Sequence, residues 1–416
     1  MSVGVLLLTA CAGQDTDSGA HGPPPAALLA VGAEVGRAEV LRWSGSWRTG
    51  DGLPGGAASE VRSAEVTADL RATDSGDVLG TMTADGHPAQ VMLVAGATVF
   101  VKADRAVLDT MGVDNPTAHA GRWTEMRGPD GTRGVLGLRL DRLAPSVVGA
   151  NVASTAASTG GDGDSASPVP SGAAEWFPRP SGVPADAAPV AVAADETTGA
   201  GTYWLSADAP HRLLGYSGLD VRQERAGEPV GALSHAAAAK LSVRTEGAPA
   251  ARKTRTALRS AVRSLPSTVP VSLTPTREQV AETTDEVCGP RCHSLTVTVA
   301  LTNRLPRESV TARYELDLTA AKRMDGDRIL VDALRYESFG SCTVRLPTAR
   351  PGATVRGSCT FDGAALREAV DESTDDYGFV LLDFRTETTR RIDGVTGPSH
   401  AEDLLHQLDS PAAASS

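Results

Sequence analysis

Cysteine and histidine are the side chains best suited here to nucleophilic or metal chemistry, and their spacing decides which chemistry is open to them. The chain has five cysteines and eight histidines. Cys11 stands alone, whereas Cys288, Cys292, Cys342 and Cys359 fall within 72 residues of one another. Cys288, Cys292 and the adjacent His293 would supply three zinc ligands, but no further CxxC pair and no paired HxxxH follows to complete a tetrahedral site. In an oxidising compartment the same four cysteines read as two disulfides. Three connectivities are open, of which Cys288 with Cys292 and Cys342 with Cys359 is the local one. Asp371, Glu372, Asp375 and Asp376 present carboxylates of the kind that hold Ca2+, yet they follow a helical stretch at 364–370 and fit a solvated loop better. His87, His211 and His293 each sit beside a turn, where an imidazole needs no special role. The sequence has no GxSxG elbow, HExxH, Walker A loop or GxGxxG opening a helix. No catalytic residue, metal or cofactor is expected, and the chain reads as a non-enzyme.

The apolar run Val3–Ala10 is too short to span a bilayer, which takes about twenty residues, but it fits the hydrophobic region of a secretory signal with small residues before the cut. Its end, Leu8-Thr9-Ala10-Cys11, resembles the lipobox of bacterial lipoproteins. That resemblance implies a signal peptide over 1–10 and acylation (palmitate) of Cys11 as the first mature residue. It also implies a lipid anchor in the cell membrane on the extracytoplasmic face. No Lys or Arg precedes the apolar run, which points to a translation start upstream of Met1. Export would place the four remaining cysteines where disulfides persist. Residues 11–34, with Gly and Pro23-Pro24-Pro25, suit a lipidated tether.

Lys+Arg is 39 against Asp+Glu 51, a net charge of −12 that repels phosphate backbones and argues against a nucleic-acid partner. A chain of 416 residues should hold about two domains. The expected fold class is α+β followed by all-β.

A helix is expected around Leu28–Leu41. Beyond it, Val66, Ala68 and Leu70 alternate with Glu65, Thr67 and Asp69, and Val78–Ala84, Gln90–Val94 and Thr98–Lys102 follow across turn-rich breaks. These form an antiparallel meander. The stretch "AEVTADLRATDSGDVLGTMTADGHPAQVMLVAGATVFVKAD", the later "AGRWTEM" and "GTYWLSADAPHRLLGYSG" resemble the LppX/LprG-type lipoproteins of mycobacteria and their relatives. For residues 35–246 the resemblance implies a strongly curved antiparallel sheet backed by helices around an apolar cavity for acyl chains. The inner face would be Val66, Ala68, Leu70, Met82, Val91, Leu93 and Val101, the candidate ligand wall. Residues 152–189, rich in Ala, Ser, Gly, Asp and Pro, read as a disordered insertion. Trp43, Trp47 and Trp123 fit either core anchors or the rim of a pocket.

Residues 247–267 combine Leu258, Ala261, Val262 and Leu265 on one helical face with Arg252, Lys253, Arg255, Arg259 and Arg263 around it. This reads as a linker helix packed on a domain, with contact to anionic lipid as the rival. From 268 to 410 the pattern is β throughout: Leu295–Thr302, Val310–Thr319, Ile329–Leu334, Cys342–Leu346, Val355–Phe361 and Tyr377–Phe384. Six or seven such strands suggest a β-sandwich. "SLTVTVALTN" and "CTVRLPTARPGATVRGSCTF" resemble the immunoglobulin-like modules of bacterial surface proteins. Two functions remain open: a membrane-anchored lipoprotein that binds a lipid or other amphiphile, and a surface interaction or sensor module that binds an envelope protein or glycan.

Overall fold

The computed structural model describes residues 23–48, 64–127, 134–159, 178–192, 201–218, 239–289, 293–322, 324–325, 328–329, 337–371 and 382–409, apart from the single positions 95, 97, 114, 137, 365 and 369. Helix α1 (Pro25–Gly36) leads into β1 (Val40–Arg48), β2 (Glu65–Thr73), β3 (Val78–Ala84), β4 (His87–Val94) and β5 (Thr98–Ala103). Short helices α2 (Arg105–Thr110) and α3 (Pro116–His119) precede β6 (Trp123–Met126) and a small ribbon, β7 (Gly134–Val135) and β8 (Leu138–Arg139). Helix α4 (Pro145–Thr159) is followed by β9 (Ala188–Val192), β10 (Gly201–Leu205), β11 (Leu213–Gly218) and β12 (Ala239–Glu246). After α5 (Ala248–Arg263) come β13 (Thr268–Ser272), β14 (Val280–Cys288), β15 (Leu295–Asn303) and β16 (Ser309–Lys322). A second ribbon, β17 (Met324–Asp325) and β18 (Arg328–Ile329), precedes β19 (Glu337–Arg345), β20 (Thr354–Phe361), β21 (Leu382–Pro398) and α6 (Ala401–Asp409).

Fourteen strands form one sheet in the order β19-β16-β21-β13-β6-β5-β4-β3-β2-β1-β12-β11-β10-β9, and β14-β15-β20 form a second. The protein is therefore mostly β with some helices, built on a large sheet and a smaller one. Junctions in the large sheet are antiparallel except β6 with β13, where Val271 stands opposite Glu125 and Ser272 opposite Met126 in parallel register. Hydrogen bonding thus runs without a break past the boundary expected at 247–267.

Local sequence sets these elements. Asp85 and Gly86, with φ of 49° and 82°, close β3 on β4 as a two-residue turn of the primed type that matches strand twist. Asp104 caps α2 by accepting the Val107 N–H at 3.1 Å, and His87 Nδ1 meets its other oxygen at 2.8 Å. Burial alone would raise that carboxyl, but the Val107 N–H and His87 outweigh it and hold it below the usual range.

Residues directly opposite in antiparallel strands point to the same side. One face of the sheet carries the line Val243, Trp43, Leu70, Gly80, Val91, Val101 and packs under α1 and α4. The other face carries Leu79, Met92 and Phe100 and packs under α5 and α6. Helices lie on both sides.

Several expectations are corrected. Helix α1 ends at Gly36 and Leu41 lies in β1, while the tether expected over 11–34 already contains the start of α1 at Pro25. The disordered insertion expected over 152–189 is ordered at both ends: α4 runs to Thr159, and 178–192 holds β9 and buries Val183 and Ala187 against Trp204. At the start of α6 the Ser399 Oγ accepts from the Ala401 N–H at 3.4 Å, and His400 takes a φ of 49°. Toward the C-terminus, Leu295, Val297, Val299 and Leu301 of β15 share one cluster with Val310, Ala312, Tyr314, Leu316 and Leu318 of β16, so the two sheets bury a common apolar layer. Cys342 and Cys359 are disulfide-bonded, as in the local connectivity. Cys342 is on β19 of the large sheet and Cys359 on β20 of the small one, so the bond clasps sheet to sheet.

Candidate functional site

Val66, Ala68, Leu70, Met82, Val91, Leu93 and Val101 all lie on the same sheet face and in the same buried cluster. Strand register stacks them in rows: Leu93 with Val78 and Ala72, Val91 with Leu70 and Val101, and Ala68 with Met82. A single apolar wall results. Val66, Leu70, Val91, Leu93 and Val101 have no exposed area, and Ala68, at 7%, is the most open of the seven.

Leu28, Val31 and Val35 of α1, with Val148 and Val152 of α4, cover this wall. The two helices meet through their backbones. A Cβ on Gly149 would stand 2.5 Å from the Gly32 carbonyl oxygen and 2.7 Å from Gly36 Cα, and one on Gly32 would stand 2.7 Å from the Gly149 oxygen. Helix and sheet, by contrast, touch through side chains. The wall is tied to the segment leading into α4 by two indoles: Trp43 Nε1 donates to Leu143 O at 3.0 Å, and Trp47 Nε1 donates to Leu136 O at 2.9 Å. Both indoles are buried, as is Trp123 under α5, so the three tryptophans act as core anchors.

A polar group stands among these apolar residues. Tyr203 of β10 is 4% exposed, and its hydroxyl accepts from Asn151 Nδ2 of α4 at 3.3 Å. Burial pushes the phenol up to about 12, so it stays neutral throughout the physiological range. Its ring lies 5.1 Å from that of Tyr216.

The remaining sequence candidates are dispersed. Cys11 and Cys292 lie outside the described residues, as do Glu372, Asp375 and Asp376. Cys288 is disulfide-bonded, which removes the thiolate that zinc would need. His293 Nε2 meets Asp371 Oδ1 at 2.7 Å on the surface, and His211 Nδ1 lies 2.8 Å from Ser206 O.

Sequence reasoning missed the contact that joins the two halves of the large sheet. Arg127, just past β6, bonds Glu125 at 2.7 Å and also Glu308, and its backbone N–H donates to Ser272 Oγ at 3.0 Å. Glu308 is 2% exposed. Burial would raise its carboxyl, but the Arg127 guanidinium and nearby backbone N–H groups hold it below the usual range. Asn303 is fully buried beside it, donating to Glu308 O at 2.7 Å and Ala349 O at 2.9 Å and accepting the Leu305 N–H at 3.0 Å.

No protein-family model and no curated protein matches this sequence. Among solved structures, the crystal structure of MucB in complex with MucA(peri) is similar at 11% identity over 86% of this chain and 98% of that one, with a TM-score of 0.17. A similarity that weak bears on neither fold nor function.

Proposed function

We propose that the chain is a non-enzymatic lipoprotein, anchored through acylated Cys11 at the extracytoplasmic face of the cell membrane. In this reading residues 35–246 form an LppX/LprG-like unit that binds a lipid or other amphiphile. Residues 268–410 form an immunoglobulin-like β-sandwich that stands off the membrane or meets an envelope partner. The observation that carries the reading is the seven-residue apolar wall under a helix pair joined backbone to backbone. In this reading the pair lifts as one body and gives up the hydrogen bond from Asn151 to Tyr203. Exchanging helix methyls for acyl methylenes against an apolar wall trades like for like, at about 0.8 kcal/mol per buried CH2 on either side.

The zero exposure of five wall residues favours a second reading, in which the core is filled by its own side chains and the protein is an interaction module. Ala68→Trp separates the two. In an amphiphile carrier the indole occupies the seam, so extractable lipid is lost at little cost in melting temperature. In a closed core the same change overpacks and costs about 1–3 kcal/mol. Paired thermal melts and lipid extraction of both proteins read the difference, and a large loss of stability with no lipid in either protein rejects the carrier.

The anchor is tested on its own. Cys11→Ser should move the protein from the membrane fraction to the soluble one, because the diacyl modification supplies the two chains that stable anchoring needs. A Cys11→Ser protein that stays in membranes after a high-salt wash refutes the anchor.

A further inference from the structure

Helix α5 carries Arg252, Lys253, Arg255, Arg259 and Arg263 and no carboxylate, in a chain whose net charge is −12. Its opposite stripe, Ala251, Thr254, Leu258 and Val262, is buried, with Leu258 and Val262 in the cluster of Met92 and Phe100, and this fixes the direction in which the cations point. Two of them are neutralised, Arg255 by Asp74 and Arg259 by Asp409, each at 2.6 Å. Arg252, Lys253 and Arg263 are exposed, and among the described residues no carboxylate pairs with them. Arg252 and Arg263 are about three turns apart and so lie along one line of the helix, about 16 Å from end to end. The sheet adds a further cation on the same side of the molecule. Register places Arg244 beside Arg42 and Arg71 on the α5 side; Asp69 and Glu246 neutralise those two, and Arg244 is exposed without a partner among the described residues.

We propose that this face, centred on Arg252, Lys253 and Arg263, contacts anionic phospholipid headgroups at the membrane surface. The setting rests on the membrane-anchored reading; the contact itself does not require the anchor. A bilayer is met by one face of the molecule, whereas an extended polyanion would also meet the acidic remainder of the chain, which favours the lipid surface over nucleic acid. Because the apolar stripe of α5 is already used in the core, the contact is electrostatic and flat, without insertion. It should therefore weaken steeply with salt.

The test uses the full chain as Cys11→Ser, so that no acyl group contributes, with vesicles of phosphatidylcholine alone or mixed with phosphatidylglycerol. Binding to the mixed vesicles is expected at low salt, with little binding to phosphatidylcholine and little at high salt. Arg252→Ser with Lys253→Ser and Arg263→Ser should weaken it about 100-fold, near fivefold per cation. A charge-retaining control, Arg252→Lys with Lys253→Arg and Arg263→Lys, should bind as the parent does, which separates charge from any disturbance of the helix. Equal binding to both vesicles, salt-independent binding, or a serine variant as tight as the parent would each overturn the proposal. So would tighter binding to a DNA duplex than to the vesicles. None of these outcomes touches the anchor, which the Cys11→Ser fractionation decides separately.

Discussion

Gly149→Leu is expected to lower stability by about 3 kcal/mol, at the upper end of overpacking costs. The reason lies in what the new side chain would strike. A Cβ at this position meets the Gly32 carbonyl oxygen, the Gly36 nitrogen at 2.6 Å and Gly36 Cα, all of them backbone, so no rotamer change relieves the clash. Helix α1 or α4 must translate away, and either movement strips cover from Leu70, Val91 and Leu93. For a unit of about 200 residues the melting temperature should fall by roughly 6–12 °C, with increased binding of an apolar dye. Gly36→Ala is the control. Its Cβ would stand 4.0 Å from Gly149 Cα, an ordinary contact, so the change should be neutral or raise stability by up to about 1 kcal/mol through helix propensity. Equal effects of the two substitutions would refute the backbone contact between α1 and α4.

Period-two alternation makes the wall legible in the sequence, because strands β2 to β5 are joined by short turns and β2 alternates buried Val66, Ala68 and Leu70 with polar residues, although β4 and β5 also bury Met92 and Phe100 on the other face. All seven wall residues follow from that pattern. Helix α5 was legible for the same kind of reason, its 3.6-residue stripe being dense in cations elsewhere. The Cys342–Cys359 pairing agrees with the shortest connectivity, but not the strands it joins, since local spacing cannot say whether two strands share a sheet. Long-range partners were the blind spot. Gly32 and Gly149 read as helix-weakening residues until the other helix is in place, and nothing near Arg127 in sequence announces a carboxylate 181 residues away. The parallel pairing of β6 with β13 was equally silent, because β6 is four residues long and its alternation is compatible with many partners.

That junction supports the second large effect. Arg127→Met leaves Glu125, 9% exposed, and Glu308, 2% exposed, as two carboxylates without their cation at the seam between β6 and β13. Breaking a fully enclosed pair costs about 3–5 kcal/mol, but the Arg127 side chain is 35% exposed and partly screened, so about 2 kcal/mol is expected at neutral pH. The pH dependence carries the sign. In the parent protein the Glu308 carboxyl is held below its unfolded value by Arg127, so its contribution is complete above about pH 4.3 and is lost as pH falls through the lower folded value. In Arg127→Met only the backbone N–H groups of Arg307 and Glu308 still oppose burial, so the folded value rises and protonation costs the variant less than the parent as the pH falls. The gap between the two proteins should therefore narrow on acidification from pH 7 to about pH 4. Adding Glu308→Gln to Arg127→Met should recover much of the loss at neutral pH, because it removes the stranded charge. Urea denaturation of the three proteins at both pH values measures this, and a gap that is the same at both, or no recovery in the double variant, would show that Arg127 serves the seam by packing and not by charge.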